Sequence, residues 1–196
     1  MKFQSDIDID FADRKKMLEL IWHVPASQRK NEQLVSHNTG IHVTDIPQDP
    51  FNGFASLDYE VAESRGYIKL DFLNVNVYQR VCDPAHLDHL LQIPPSWASF
   101  NTDQAFFEQL IHVNNHWSVL KKMPEPVDSI PRLAMFLAII RPAKRHLIGR
   151  TWKEVAEEVW TKPADDSYYF KKSHAVAYAH LVVVDMNLNG LANQHN

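Results

Sequence analysis

Cysteine is almost missing from this chain: Cys82 stands alone. A single thiol excludes an intrachain disulfide and a structural thiolate zinc site, and it agrees with a reducing compartment. Long apolar runs are missing too, with none reaching the roughly 18 residues that signal a membrane span. The opening Met1 to Asp6 is too acidic and too quickly structured to be a signal peptide, so the sequence predicts a cytoplasmic protein without a membrane partner. No internal repeat or low-complexity tract is present. A large excess of one charge is also lacking: the formal net charge is -4, which argues against indiscriminate nucleic-acid binding. Eleven histidines invite a zinc hypothesis. His112 and His116 have i, i+4 spacing and His86 and His89 have i, i+3, but neither pair has glutamate in the metalloprotease position, and histidines satisfied by ordinary partners are commoner than ligands. With 45% hydrophobic residues the chain can bury one core, whole or divided into two lobes.

What is present is a row of aspartates at alternate positions, in Ser5-Asp6-Ile7-Asp8-Ile9-Asp10-Phe11. Residues at i, i+2 and i+4 of a strand share a face, so Asp6, Asp8 and Asp10 lie opposite Ile7, Ile9 and Phe11. Aspartate is depleted in strands and like charges on one face repel, so folding does not ask for this row. A hard divalent cation does, and two such ions about 3.5–4 Å apart are the apparatus of phosphoryl transfer. A calcium loop starting at Asp8 fails, because Asp13 stands where its turn glycine belongs. A solvated acidic strand remains the plain alternative.

A second alternating segment, Gly66 to Leu73, puts Tyr67, Lys69, Asp71 and Leu73 on one face and Ile68, Leu70 and Phe72 on the other. Paired beside the first strand, it would add Asp71 as a ligand and Lys69 as a cation for phosphate. The plain alternative is an ordinary lysine–aspartate pair.

These residues resemble the C-family replicative DNA polymerases of bacteria, the alpha subunit of polymerase III. The palm of that family carries Pro-Asp-x-Asp-x-Asp-Phe followed by a basic helix, to which Ser5 through Phe11 and then Ala12-Asp13-Arg14-Lys15-Lys16 are similar. The family's Lys-His-x-x-Gly-Val-Val resembles Ser36-His37-Asn38-Thr39-Gly40-Ile41-His42-Val43. Its Gly-Leu-x-Lys-x-Asp-Phe-Leu-Gly resembles Gly66 through Leu73. Its Ala-Leu-x-Arg-Pro-Gly is similar to Leu137 through Pro142. Its Phe-Asn-Lys-Ser-His-x-x-x-Tyr-Ala is similar to Phe170-Lys171-Lys172-Ser173-His174 with Tyr178 and Ala179. All fall in the family's order between residues 5 and 179.

The resemblance implies that Asp6, Asp8 and Asp71 bind two magnesium ions. It puts Lys69, Arg141, Lys172 and His174 near the incoming nucleotide or primer end, and assigns no firm role to Asp10 or His37. The implied activity is DNA-directed DNA synthesis on a primer-template from dNTPs. The departures are equally clear. The family's upstream Gly-Ser motif, which grips the triphosphate, has no counterpart, and a short connection replaces its thumb. Thr39, Asn74 and Ala143 stand where the family has glycine, and Lys171 where it has asparagine. Such compression suggests a viral genome, hence a host cytoplasm, and a second protein supplying the upstream palm. The alternatives are a non-catalytic, polymerase-derived protein that binds DNA or a replication protein, and a nuclease using the same metals.

The sequence thus predicts an α+β chain, a reduced palm sheet with helices over 1–80 and a helical, fingers-like region over 81–196. Within it, a helix is expected over Asp13 to Ile21, a polar connector over Pro25 to Asn31, a strand over Ile41 to Ile46, a turn over Asp49 to Gly53 and a short helix over Asp58 to Ser64. Further helices are expected over Pro84 to Leu91, from a cap at Thr102 through Ile111, over Pro131 to Ile140, after a Thr151-x-x-Glu154 capping box, and over Ser173 to Asn187. Leu188 to Asn196 is expected to fray. The tryptophans are expected to pack rather than stack on bases. The cations Arg141, Lys144, Arg145, His146, Arg150, Lys153, Lys171 and Lys172 offer phosphate contacts, or else form a solvated basic surface.

Overall fold

The structure is a computed structural model that describes residues 7–164 and 168–193. It is α+β, and its contacts divide it into two units, Met1–Arg80 and Val81–Asn196. Asp6 lies outside the described residues.

The first unit holds β1 (Ile7–Phe11), α1 (Arg14–Leu20), β2 (Val24–Lys30), β3 (Gln33–His42), α2 (Tyr59–Ser64) and β4 (Leu70–Asn74). The strands form one sheet in the order β1-β4-β3-β2, with β1 parallel to β4 and the other neighbours antiparallel. Alternation does what it predicts in β1: Ile9 is the register partner of Phe72, and the Phe11 and Phe72 rings lie 4.6 Å apart on the apolar face. Asp13 caps α1 by accepting from the Lys16 amide, and Asp58 caps α2 by accepting from Glu60 and Val61.

Three expectations need correction here. Pro25 to Asn31 is not a connector, because Val24–Lys30 is a strand. Pro25 is tolerated because β2 is an edge strand with a bulge between Pro25 and Ser27. The chain then turns at Asn31 and Glu32, both with positive φ (48° and 65°), between the register partners Lys30 and Gln33. This is a two-residue hairpin loop of the kind that usually carries glycine. The partner strand accordingly ends at His42, so the strand expected over Ile41 to Ile46 starts and finishes earlier. The second alternating segment becomes β4 only from Leu70, because Gly66 turns the chain with φ 88°.

The second unit is helical: α3 (Pro84–Gln92), α4 (Trp97–Thr102), α5 (Gln104–Phe107), α6 (Trp117–Leu120), α7 (Ile130–Ile139), α8 (Trp152–Glu158) and α9 (Lys172–Asn193). Beyond Arg132, helix α7 is apolar on every side and lies in the core, with every residue from Leu133 to Ile139 buried. Against it pack Ala175, Ala179, Val182, Val183 and Met186 of α9, together with Phe100, Phe107 and Leu110. Thr151 and Glu154 form the reciprocal capping box in front of α8.

Thr102 ends α4 instead of capping the next helix. Asp103 is the cap, accepting from the Phe106 amide at 3.0 Å, and α5 stops at Phe107. Helix α9 continues to Asn193 rather than fraying after Asn187. The Asn187 amide donates to the Leu90 and Ile93 carbonyls at 2.7 and 3.0 Å, tying α9 to the end of α3, and Leu188 is buried beyond it. By length and composition the Lys172–Ala192 stretch could cross a membrane, but 56% of its apolar window is buried inside the fold, as in a core helix. Trp152 is buried as expected, whereas Trp22 is 58% exposed.

Candidate functional site

Asp71 lies in the middle of a row that crosses the first sheet. Its register partner on one side is Asp8 of β1 and on the other Gly40 of β3. Register partners point their side chains to the same face, so the two aspartates share one face of neighbouring parallel strands about 4.8 Å apart. Asp8 is exposed and Asp71 is buried. Asp10 follows on the same face, opposite Leu73.

Both oxygens of Asp71 are engaged. The Lys69 ammonium donates to Oδ2, and the Thr39 hydroxyl donates to Oδ1 at 2.7 Å. Burial pushes this carboxyl upward, but these two donors and the surrounding positive charge outweigh it and hold Asp71 below the usual aspartate range. The His37 Nδ1 lies 3.6 Å from Oδ1, yet it is not a cationic partner. It accepts from the Gly40 amide at 2.8 Å and the Thr39 amide at 3.3 Å, so its lone pair faces inward and the ring is neutral. Burial, reinforced by the Lys69 charge, lowers His37 against the pull of Asp71 and keeps it so.

Around this core stand Tyr59, whose ring centroid is 5.3 Å from the Lys69 ammonium and 5.5 Å from the His37 ring, and Arg14, whose Nη2 donates to the Thr39 carbonyl at 3.4 Å. Thr39, Tyr59 and Arg14 were not candidates from sequence. For Thr39 a signal existed, since it departs from the family's glycine.

Gly40 explains how Lys69 reaches Asp71 while only 7% exposed. A Cβ at residue 40 would sit 2.9 Å from both His37 Nδ1 and Lys69 Cδ, and 3.1 Å from the Ala26 Cβ. The lysine stem therefore needs the space that the missing side chain leaves. Gly40→Ala is expected to cost about 1–3 kcal/mol, as overpacking does. A lowered midpoint in thermal unfolding checks this, and an unchanged one removes the steric account.

Do these groups suit magnesium? Asp8 and Asp71 supply hard oxygen donors on rigid adjacent strands, the chemistry that ion takes. They fit. Among the described residues, which do not include Asp6, no group of three or more His, Cys, Asp or Glu is arranged to hold a metal.

Arg141, Lys172 and His174 belong to the second unit and are described within it. Arg141 follows α7 and sits over the Phe170 ring, 5.0 Å from its centroid. The Phe170 ring lies 6.2 Å from His174 and 5.3 Å from Tyr178, and Tyr178 meets the His112 ring edge-on at 4.4 Å. The structure thus gathers Arg141 and His174 around Phe170, with Lys172 exposed at the start of α9. His112, weighed by its spacing for zinc, is on no helix. It has φ 65° in a turn, so the i, i+4 geometry never forms.

Part of the basic stretch serves structure. Lys144 is buried and donates to the Glu158 carbonyl at 2.8 Å, while the Glu158 carboxylate takes His146 at 2.5 Å and Arg150 at 3.8 Å. Lys144 is thereby committed within the fold, whereas His146 and Arg150, paired with Glu158, stay about half exposed.

No protein-family model matches the chain, and no curated protein matches it.

Proposed function

We propose that this chain is a DNA-directed DNA polymerase, or the catalytic part of a split one, that transfers a nucleotide to a primer 3′-hydroxyl. The observation that carries this reading is the register pairing of Asp8 with Asp71 across parallel β1 and β4, with Lys69 beside Asp71. Ordered motifs from residue 5 to residue 179 support it.

Asp6, Asp8 and Asp71 would hold two magnesium ions, which when bound supply charge neutralisation for the attacking and leaving oxygens. The chain's own task is to position and to neutralise. Asp8 and Asp71 present their carboxylates from rigid strands at the reacting phosphate. Lys69 would offset charge on the triphosphate. The 3′-oxygen bonds to the α-phosphorus and pyrophosphate leaves. The chain would work on primer-template DNA and dNTPs, with a second protein as a candidate partner, in a cytoplasm, the host's if the chain is viral.

Primer extension tests this, with the chain alone and with candidate partner polypeptides. Asp8→Ala is expected to lower extension about a hundredfold to a thousandfold, as loss of a preorganised transition-state contact does. Extension indifferent to Asp8→Ala and Asp71→Ala removes the site.

One observation favours the competing reading, a non-catalytic protein that binds DNA or a replication protein. Lys69 already compensates Asp71, so that carboxylate does not depend on metal. No extension in any combination selects this reading, and magnesium-dependent shortening of the primer selects a nuclease.

A further inference from the structure

We infer that Asp71 is a latched carboxylate, with Thr39 fixing Oδ1 and Lys69 acting as an internal cation that a divalent ion must displace from Oδ2. This inference rests on the metal-binding reading of Asp8 and Asp71 given above.

The two oxygens have donors of different kinds. Thr39 is held at three points: its amide donates to His37 Nδ1, its carbonyl accepts from Arg14, and its hydroxyl donates to Oδ1. A neutral hydroxyl on so fixed a backbone orients the carboxylate without competing for a cation, because a carboxylate oxygen has a second lone pair to offer. Lys69 is the opposite case. Its ammonium has the same sign as a metal ion, so both cannot rest on Oδ2 together, and it sits on a flexible stem that can swing.

The same ammonium also faces the Tyr59 ring, 5.3 Å from its centroid, a cation–aromatic contact that Lys69 can keep when it gives up Oδ2. Gly40 keeps clear the path its stem follows. Asp8, the exposed register partner, opens the row to solvent on the other side. In its released position the Lys69 charge becomes available to phosphate, so metal arrival and the readiness of Lys69 are one event. Thr39, where the similar family has glycine, is the positioning residue specific to this chain.

The test is Mn²⁺ binding by the full chain, read from the electron paramagnetic resonance of the free ion, with no DNA or nucleotide present. Lys69→Met is expected to tighten binding about tenfold, the scale on which a neighbouring charge biases a carboxylate. Lys69→Arg keeps the latch and the native affinity. Thr39→Val weakens binding about threefold, as loss of one hydrogen bond does, and Thr39→Ser restores it. Equal or weaker binding in a folded Lys69→Met chain overturns the latch. Should that variant not fold, the unsubstituted chain decides through the ¹⁵N signal of the Lys69 ammonium. Slow hydrogen exchange that Mg²⁺ abolishes supports the latch, and exchange unmoved by Mg²⁺ at concentrations where Mn²⁺ binds overturns it. Tighter binding in Lys69→Met without primer extension keeps the latch and defeats the polymerase reading. Extension with one affinity in all variants defeats the latch alone, and no binding in any form defeats both the latch and the metal site.

Discussion

Asp71→Ala is expected to destabilise the first unit by about 3–5 kcal/mol, and adding Lys69→Met to recover most of that loss. The reason is the burial of the pair: each residue is 7% exposed. Removing the carboxylate leaves an ammonium in a place that water hardly reaches, where an unpaired charge is costly. Replacing both partners with apolar groups removes two desolvation penalties at once, and methionine follows the same path over Gly40 as the lysine stem. Lys69→Met alone is expected to cost less than Asp71→Ala, because Asp71 retains the Thr39 hydroxyl and can take up a proton. Urea unfolding of the four chains gives the double-mutant cycle, with amide hydrogen exchange in β3 and β4 assigning the change to this unit. A cost below about 1 kcal/mol for Asp71→Ala would mean that Lys69 finds water easily, the behaviour of a surface pair. This result concerns the fold alone and stands whatever the chain catalyses.

The experiment also bears on why an acidic strand persists. From sequence, three aspartates on one face look like pure repulsion that only a metal relieves. Asp71, on the neighbouring strand, has relief of its own from Lys69 two residues earlier in the chain and from Thr39 across the sheet. Paired charge at Asp71 therefore says nothing by itself about catalysis. The register with Asp8 is the stronger observation, because it sets a second hard oxygen donor on the same face of the neighbouring strand, the arrangement a shared cation would use.

What the sequence reveals and what it hides divide along the range of the interactions. Periodicity is a local signal, so the apolar and acidic faces of β1, the buried stripe of α9 and the capping box at Thr151 are all legible in the order of the residues alone. The β2–β3 hairpin is not, because Asn31-Glu32 forms its turn without glycine and Pro25 imitates a connector. The length of α9 depends on Asn187 reaching carbonyls nearly a hundred residues away in sequence, contacts that no window of sequence contains. The site divides in the same way. Asp8, Lys69 and Asp71 are visible as alternating charges, and Thr39 only as a departure from a family pattern. Tyr59 and Arg14 join through tertiary contacts alone. Asp6 lies outside the described residues.

His112 yields the other large expected effect, a loss of stability on mild acidification of the second unit. Burial, helped by the positive charge of Arg141, lowers this imidazole to about 4. Its Nε2 is buried without a hydrogen-bond partner, and the Tyr178 ring closes over it. The unfolded chain binds the proton near pH 6.5, whereas the folded chain refuses it until about pH 4. Between those values the unfolded state holds more protons, so stability rises with pH and is lost as pH falls from 6.5 towards 4. The full gap corresponds to about 3 kcal/mol, and partial access to solvent reduces the expected loss to about 2. His116, lowered by burial and by Arg141 and Arg145, acts in the same direction. His112→Asn isolates the effect, because asparagine accepts the left-handed backbone at φ 65° and does not titrate. Urea midpoints measured every half unit from pH 7 to pH 4 should therefore fall more steeply for the native chain than for His112→Asn. Arg141→Gln should lie between them, since it removes the second cause and leaves burial in place. Parallel profiles for the native chain and His112→Asn would mean that the ring takes its proton inside the fold at no cost, and the buried, partnerless Nε2 would need another explanation.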